Sequence, residues 1–256
     1  MNSIGFIGVG ELALYTIRGL RRGGFTGSIY LGPRNESKVK YLIEHHDCKA
    51  LADNQSVADK CDYVFIATRP ADCLAALTEI DFKIGKVLVS VVAGMEVQRL
   101  QAVVGDRIKI VRAMPVSSAE AAESPTLIFP PEPFVEELFD YCGQSLSVQD
   151  EAIYEQGSVL ACVYCWFFSL FDTLIQSTQG PSLPPELSAK LVMGMAKGAA
   201  ALALEKSEMT PAEIAEQIAT EGTFSKMGLD LLREEQAFSP WAQASSLLKD
   251  KLTAGS

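Results

Sequence analysis

The stretch Ile4-Gly5-Phe6-Ile7-Gly8-Val9-Gly10-Glu11-Leu12-Ala13 decides the fold of this sequence. An apolar run leads into the pattern Gly-x-Gly-x-x-Ala, and an amphipathic segment follows it. Gly8 permits a tight turn, Gly10 lets the backbone approach a pyrophosphate, and Ala13 allows a helix to pack closely on a strand. The helix that begins there offers free N–H groups and the positive end of its dipole. The stretch therefore predicts a dinucleotide-binding turn; a glycine turn that binds nothing is the alternative.

Short apolar runs rich in Ile, Val and Phe alternate with helical segments up to about residue 115, which predicts βαβ units and a parallel sheet. The expected strands are 3–7, 28–31, 63–67, 87–92 and 108–111, and the expected helices are 11–22, 36–45, 71–79 and 96–104. Five prolines predict an irregular segment over 115–135, after which a helix at 134–142 and a strand at 145–148 close the domain. Further helices are expected at 151–178, 185–206, 211–219, 225–235 and 240–252.

These elements predict an α/β, Rossmann-type, doubly wound parallel sheet over residues 1–149, followed by an all-α C-terminal domain over 150–256. The 256 residues are 48% hydrophobic and 21% charged, as in a globular protein. With 22 basic and 32 acidic residues, the net charge is −10 and no basic stripe is visible. We therefore expect no nucleic-acid partner and no membrane surface. The N-terminus lacks a secretion signal, so we expect a cytoplasmic protein.

The six cysteines are expected to be free thiols, as in a cytosolic protein. Cys162 and Cys165 have CxxC spacing, but they lie inside an apolar helical stretch, which favours two buried thiols over a redox or zinc pair. The apolar stretch 159–175 is short for a membrane span and contains Asp172. It predicts a helix that is buried on all sides, either within the single chain or in a dimer.

No metal site is expected. His45 and His46 end a polar helix and are interpreted as surface residues, with a metal site as the alternative. Glu132, Glu136 and Glu137 are interpreted as a solvated helix face.

Arg34 follows the second expected strand, where an NAD enzyme usually places Asp or Glu to hold the ribose 2′-hydroxyl. Asn35, Ser37 and Lys38 lie nearby, and cationic and hydrogen-bonding groups suit a 2′-phosphate. Glu36 is assigned to the start of the next helix, where an acid complements the dipole. The sequence thus predicts NADP as cofactor; a solvated Arg34 is the alternative.

Further stretches resemble the pyrroline-5-carboxylate reductase family, in order and over nearly the whole chain. They are the glycine turn, Arg34-Asn35, Val64-Phe65-Ile66-Ala67-Thr68-Arg69-Pro70, Val89-Ser90-Val91-Val92-Ala93-Gly94, Val111-Arg112-Ala113-Met114-Pro115 and Glu221-Gly222-Thr223-Phe224-Ser225-Lys226-Met227-Gly228-Leu229. The resemblance implies an N-terminal Rossmann domain and a helical domain that dimerises by interleaving helices. It also implies reduction of a cyclic imine, 1-pyrroline-5-carboxylate, to L-proline with NAD(P)H, at a site between the cofactor and the helical domain.

The resemblance implies a role for each matching residue. The expected cofactor contacts are Gly8, Gly10, Glu11 and Leu12 at the pyrophosphate, Arg34 and Asn35 at the 2′-phosphate, and Ala67, Thr68, Arg69, Pro70, Ala93 and Gly94 along the adenosine and nicotinamide path. The expected substrate contacts are Gly222, Thr223 and Ser225, with Thr223 and Ser225 as the catalytic residues that hold the substrate carboxylate. Tyr164 and Trp166, which do not match the family, are expected to bind the substrate by shaping its pocket. A cyclic imine is readily protonated, so no strong general base is required.

Three departures from the family fall on the substrate side. Val116-Ser117-Ser118 stands where the family has Asn-Thr-Pro, Leu160-Ala161-Cys162-Val163-Tyr164-Cys165-Trp166 stands where it has Ser-Gly-Ser-Gly-Pro-Ala-Tyr, and Phe224 replaces a small residue. We therefore expect an NADPH-dependent imine reductase with an altered substrate pocket, acting on a small-molecule imine as a homodimer or higher homo-oligomer. A non-catalytic, NADP-binding regulatory paralogue is the alternative. A related reductase that works with a deazaflavin is a third possibility.

Overall fold

Eight strands form one sheet in the computed structural model, which describes residues 2–254, with side chains described as far as Lys251. The strands are β1 (Ile4–Ile7), β2 (Ile29–Leu31), β3 (Cys48–Ala50), β4 (Tyr63–Ile66), β5 (Val87–Ser90), β6 (Lys109–Met114), β7 (Ser124–Phe129) and β8 (Gly143–Ser147). They lie in the order β3-β2-β1-β4-β5-β6-β7-β8. All neighbours are parallel except β6 and β7.

Eleven helices are present in the described part of the chain. They are α1 (Glu11–Arg22), α2 (Glu36–His46), α3 (Asn54–Lys60), α4 (Pro70–Thr78), α5 (Val97–Val104), α6 (Pro133–Asp140), α7 (Glu151–Thr178), α8 (Pro185–Glu205), α9 (Pro211–Ile218), α10 (Phe224–Glu234) and α11 (Ser239–Ala254). Two apolar clusters fill the part of the chain that contains the sheet. Phe6 and Phe65, on neighbouring strands, stack in one of them with ring centroids 4.7 Å apart. The doubly wound α/β architecture expected from the sequence is confirmed, and so is the helical C-terminal half.

Several short elements were not expected from the sequence. Only Cys48 is buried in β3, so this three-residue strand carries no apolar pattern. The segment that was expected to be irregular over 115–135 contains a 3-10 helix at Ser117–Ala121 and the antiparallel strand β7. Pro125 lies within β7 and is exposed, so the proline signal masked a real strand.

The described chain divides into two compact units. One takes in the chain up to Ala161 together with the end of the last helix from Lys251, and the other is Cys162–Asp250. Within the second unit α7 is largely exposed, so the single chain by itself does not bury this helix on all sides. Cys162 and Cys165 are likewise exposed, not buried, whereas the other four cysteines are buried free thiols. By length and composition, α7 and α8 are each apolar enough to cross a membrane.

Glu132 corrects a further expectation, because its carboxylate does not belong to a solvated face. It lies at the start of α6 with a side chain only 10% exposed. It accepts a hydrogen bond from the Tyr63 hydroxyl at 2.8 Å and pairs with the Lys109 ammonium. The three side chains come from β4, β6 and α6, so only the folded sheet brings them together.

Candidate nucleotide-binding site

The loop after β1 forms a turn that only glycine accommodates. Gly8 has a φ of +85°, and a Cβ atom there would lie 2.9 Å from the carbonyl oxygen of Ala67, which follows β4. Gly10 has more room, since a Cβ atom added there would lie 3.8 Å from its nearest neighbour, the same Ala67 oxygen. Gly8 therefore fits the backbone to β4, and Gly10 keeps the space above the turn free of side chain.

Helix α1 begins at this turn without a side-chain cap. Gly10 is its N-cap residue, and no described side chain accepts a hydrogen bond from its first turn. Ala13, on the inner face, is 1% exposed and lets the helix lie against the sheet. The uncapped N–H groups and the helix dipole together make this end of α1 receptive to an anion.

A cavity of about 600 Å³ opens over this end of α1. It lies at the carboxyl ends of β1, β2 and β4, where the strand order reverses, which is the position at which open α/β sheets bind ligands. Its lining residues are Gly8, Val9, Gly10, Glu11, Leu12, Arg34, Asn35, Lys38, Ala67, Thr68, Arg69 and Asp72. The hydroxyl oxygen of Thr68 is buried without a hydrogen bond of normal geometry.

Charged side chains surround the cavity in pairs. The Arg34 guanidinium lies 2.8 Å from a carboxylate oxygen of Asp72, and the Lys38 ammonium lies 2.6 Å from one of Glu11. Arg69 lines the same cavity and makes no ion pair with any described residue. Three cations thus face two carboxylates, which leaves the cavity with a net positive charge.

Asn35 shapes the corner between β2 and α2. Its φ of +73° places it in the left-handed region, and its side-chain oxygen caps α2 by accepting from the Lys38 backbone N–H. Glu36 opens that helix, as expected. The cap directs Arg34 and Lys38, which flank it in sequence, to the same cavity.

Three of the expected cofactor residues do not line this cavity. Pro70 follows Arg69 directly and begins α4. Ala93 and Gly94 lie in the loop between β5 and α5, and Gly94 has a φ of +65° with open space where a Cβ would stand. The structure therefore gathers the expected pyrophosphate and 2′-phosphate residues and leaves these three outside the cavity wall.

The expected substrate residues lie in the second unit, Cys162–Asp250, called the helical unit from here on. They occupy two separate parts of it. Gly222, with a φ of +80°, precedes α10, and Thr223 caps this helix by accepting from the Lys226 backbone N–H at 3.2 Å. The Thr223 hydroxyl donates to the Thr220 carbonyl at 2.7 Å. Ser225 lies in the first turn, and its hydroxyl is exposed and makes no hydrogen bond within the described residues.

Tyr164 and Trp166 lie on α7. Trp166 packs edge-on against Trp241 with ring centroids 6.0 Å apart, and both line an apolar groove of the helical unit. Tyr164 contacts Phe168 edge-on at 5.3 Å and does not line that groove. The family's proline is absent from this stretch, and α7 continues through it without a break.

Three residues of the cavity were not among the expected site residues: Val9, Lys38 and Asp72. Asp72 was not foreseen, although an acid in the first turn of the helix after β4 was a usable signal. Lys38 was noted near Arg34, but not assigned to the site. Its pairing with Glu11 joins the first turns of α1 and α2, which are distant in sequence.

Two protein-family models match the chain, one in each half. Residues 3–94 match the family described as NADP oxidoreductase, coenzyme F420-dependent. Residues 152–247 match the pyrroline-5-carboxylate reductase dimerisation family.

Curated relatives match over most of their length. The pyrroline-5-carboxylate reductase of Haemophilus influenzae is 25% identical over 231 residues, covering 86% of this chain and 84% of that protein. The enzyme of the same name from Pasteurella multocida is 27% identical over 251 residues, covering 91% and 90%.

Solved structures share the fold. A 1-pyrroline-5-carboxylate reductase from Streptococcus pyogenes superposes with a TM-score of 0.87 at 21% identity, covering 99% of this chain and 98% of the other. A Plasmodium falciparum pyrroline carboxylate reductase with NADP bound gives a TM-score of 0.86 at 20% identity, with the same coverage.

Proposed function

We propose that this chain is a member of the pyrroline-5-carboxylate reductase family and that it reduces the C=N bond of a cyclic imine with NADPH. The reaction assigned is conversion of 1-pyrroline-5-carboxylate to L-proline, or of a close analogue that fits the altered substrate side. The single observation that carries the proposal is the cation-bearing cavity at the glycine turn, with Arg34 at the end of β2. The match of the second half to the family's dimerisation domain supports it.

The cavity fits a phosphorylated dinucleotide in three respects. A side chain at Gly10 would fill the space above the turn, the first turn of α1 is uncapped, and the Thr68 hydroxyl is buried without a hydrogen bond of normal geometry. We assign Gly8, Gly10, Glu11 and Leu12 to the pyrophosphate, Arg34 and Asn35 to the 2′-phosphate, and Ala67, Thr68, Arg69, Pro70, Ala93 and Gly94 to the adenosine and nicotinamide path. When bound, NADPH supplies the hydride, which is chemistry of the cofactor itself.

The chain's own residues then bind, orient and exclude water. We assign the substrate carboxylate to the start of α10, where Gly222, Thr223 and Ser225 offer backbone N–H groups and the free Ser225 hydroxyl. Tyr164 and Trp166 are assigned to the shape of the substrate pocket. Since the imine nitrogen gains its proton readily, the site works without a general base.

We assign residues 1–149 to the nucleotide-binding domain and 150–256 to the helical domain that forms a homodimer or larger homo-oligomer. Large apolar side chains of the helical unit support such an assembly, since Phe168, Met195 and Met227 are all exposed in the single chain. A second copy of the chain would remove this surface from water. A cytoplasmic location, without nucleic-acid or membrane partners, completes the proposal.

The test is NADPH oxidation by the purified protein with 1-pyrroline-5-carboxylate and with related five- and six-membered cyclic imines. We expect turnover with at least one imine, and we expect Arg34→Ala to raise the KM for NADPH about tenfold, as loss of a charge-assisted contact does. Lys83→Ala is the matched control, since Lys83 pairs with Asp59 on another surface. A protein that binds NADPH and reduces none of these imines would instead be the non-catalytic regulatory paralogue.

A further inference from the structure

Asp72 places a negative charge in a cavity that is otherwise built for an anion. It lies in the first turn of α4 and lines the cavity together with the glycine turn. Its carboxylate is 2.8 Å from the Arg34 guanidinium, the group that we assign to the 2′-phosphate. The Asp72 carboxylate and the proposed 2′-phosphate therefore require the same Arg34 guanidinium.

The Arg34–Asp72 pair is open to water and easily rearranged. The side chains are 61% and 39% exposed, and exposed pairs of this kind contribute little to stability. Arg34 makes no other ion pair within the described residues. A phosphate that reaches Arg34 either replaces Asp72 as its partner or shares the guanidinium with it.

A nearby carboxylate affects the two nicotinamide cofactors in opposite ways. A 2′-phosphate carries about two negative charges at neutral pH, and Asp72 repels it while competing for the same guanidinium. A free ribose 2′-hydroxyl is neutral, and a carboxylate is the group that accepts its hydrogen bond in NAD-binding folds. Asp72 therefore weakens NADPH binding and is suited to NADH.

We infer that Asp72 is a specificity-determining residue that lets the cavity accept NADH as well as NADPH. It does so by competing with the 2′-phosphate for the Arg34 guanidinium. The inference rests on the proposed function, because it requires that a nicotinamide dinucleotide occupy this cavity. Lys38, the other cation that flanks Asn35 at this corner, pairs with Glu11 and is left unchanged in the Asp72 variants.

The experiment measures dissociation constants of NADPH and NADH for the wild type and Asp72→Asn, with adenosine 2′,5′-bisphosphate and AMP as probes that differ only by the 2′-phosphate. Removing one repulsive charge is expected to tighten NADPH and the bisphosphate about threefold, while NADH and AMP do not tighten. The preference for NADPH then rises. Asp72→Ser gives the same direction if the effect is electrostatic. Asp59→Asn, outside the cavity lining, leaves every constant unchanged.

An unchanged or smaller preference for NADPH in both Asp72 variants overturns the inference and leaves the proposed function standing. If the wild type binds neither cofactor, the proposed function fails and the inference falls with it.

Discussion

The Arg112 guanidinium lies 2.7 Å from a carboxylate oxygen of Glu151, which joins the end of β6 to the first turn of α7. Arg112 is 1% exposed, pairs also with Glu155, and lies 4.4 Å from the centre of the Tyr154 ring. Glu151 in turn accepts a hydrogen bond from the Val97 backbone N–H at 2.9 Å, at the start of α5. One buried cation therefore holds three elements together.

Removing that cation is expected to destabilise the protein strongly. Arg112→Ala leaves the two carboxylates without their partner, and breaking a buried pair in this way costs about 3–5 kcal/mol. Urea unfolding of the two proteins measures the difference. Lys83→Ala, which removes an exposed pair with Asp59, is the control and is expected to cost less than about 1 kcal/mol. Equal losses in the two variants would contradict the role of Arg112.

Three glycine variants are expected to separate folding from cofactor binding. Gly8→Ala strains the turn and collides with Ala67, so it loses roughly 2 kcal/mol of stability and NADPH binding as well. Gly10→Ala has room within the fold but fills the cavity, so it loses binding only. Gly24→Ala, with a φ of +99° and open space around it, loses stability only. Melting temperature and NADPH titration measure the two properties, and parallel losses in all three would refute the assignment.

The stability contributed by Glu132 is expected to depend on pH. Burial raises the pKa of this carboxyl. The Lys109 ammonium and the Tyr63 hydroxyl together lower the pKa by more than burial raises it, so the pKa lies below the usual 4.5. The unfolded chain then binds more protons, and the stabilisation is present above pH 4.5 and lost as the pH falls through the lowered pKa. Glu132→Gln is therefore expected to lose about 2 kcal/mol near pH 7 and less near pH 3. A loss that is constant with pH, in urea unfolding at both values, would argue against the ion pair.

The cysteines are expected to fall into two reactivity classes. Burial raises the pKa of Cys48 and Cys73 to about 11, and of Cys61 and Cys142 to about 12. These buried thiols are expected to resist alkylation near pH 8 in the native protein and to react in denaturant. Mass spectrometry after iodoacetamide treatment identifies the modified residues, and native labelling of any of the four would contradict this burial.

The reactivity of Cys162 and Cys165 tests whether a second copy of the chain covers α7. Both are exposed on α7 in the single chain. If a second copy covers the helix, these two thiols are expected to resist alkylation in the native protein and to become reactive when dilution separates the two copies. Rapid labelling at every concentration would count against that assembly.

The sequence alone was sufficient for the glycine turn, the alternation of strands and helices, and the position of Arg34 after β2. These features are local: a strand, a turn and a helix within about ten residues follow from backbone freedom at glycine and from apolar periodicity. Glu36 at the start of α2 was predictable for the same reason, since helix starts depend on neighbouring residues.

Only the tertiary structure decided which distant side chains meet. Arg34 and Asp72 are 38 residues apart, and Arg112 and Glu151 are 39 apart. Their pairing depends on the order of strands in the sheet, which no local preference specifies. The same holds for Glu132, whose burial requires β4 and β6 to lie beneath α6. Local residue patterns predicted the cofactor turn, whereas long-range packing determined the charges that surround it.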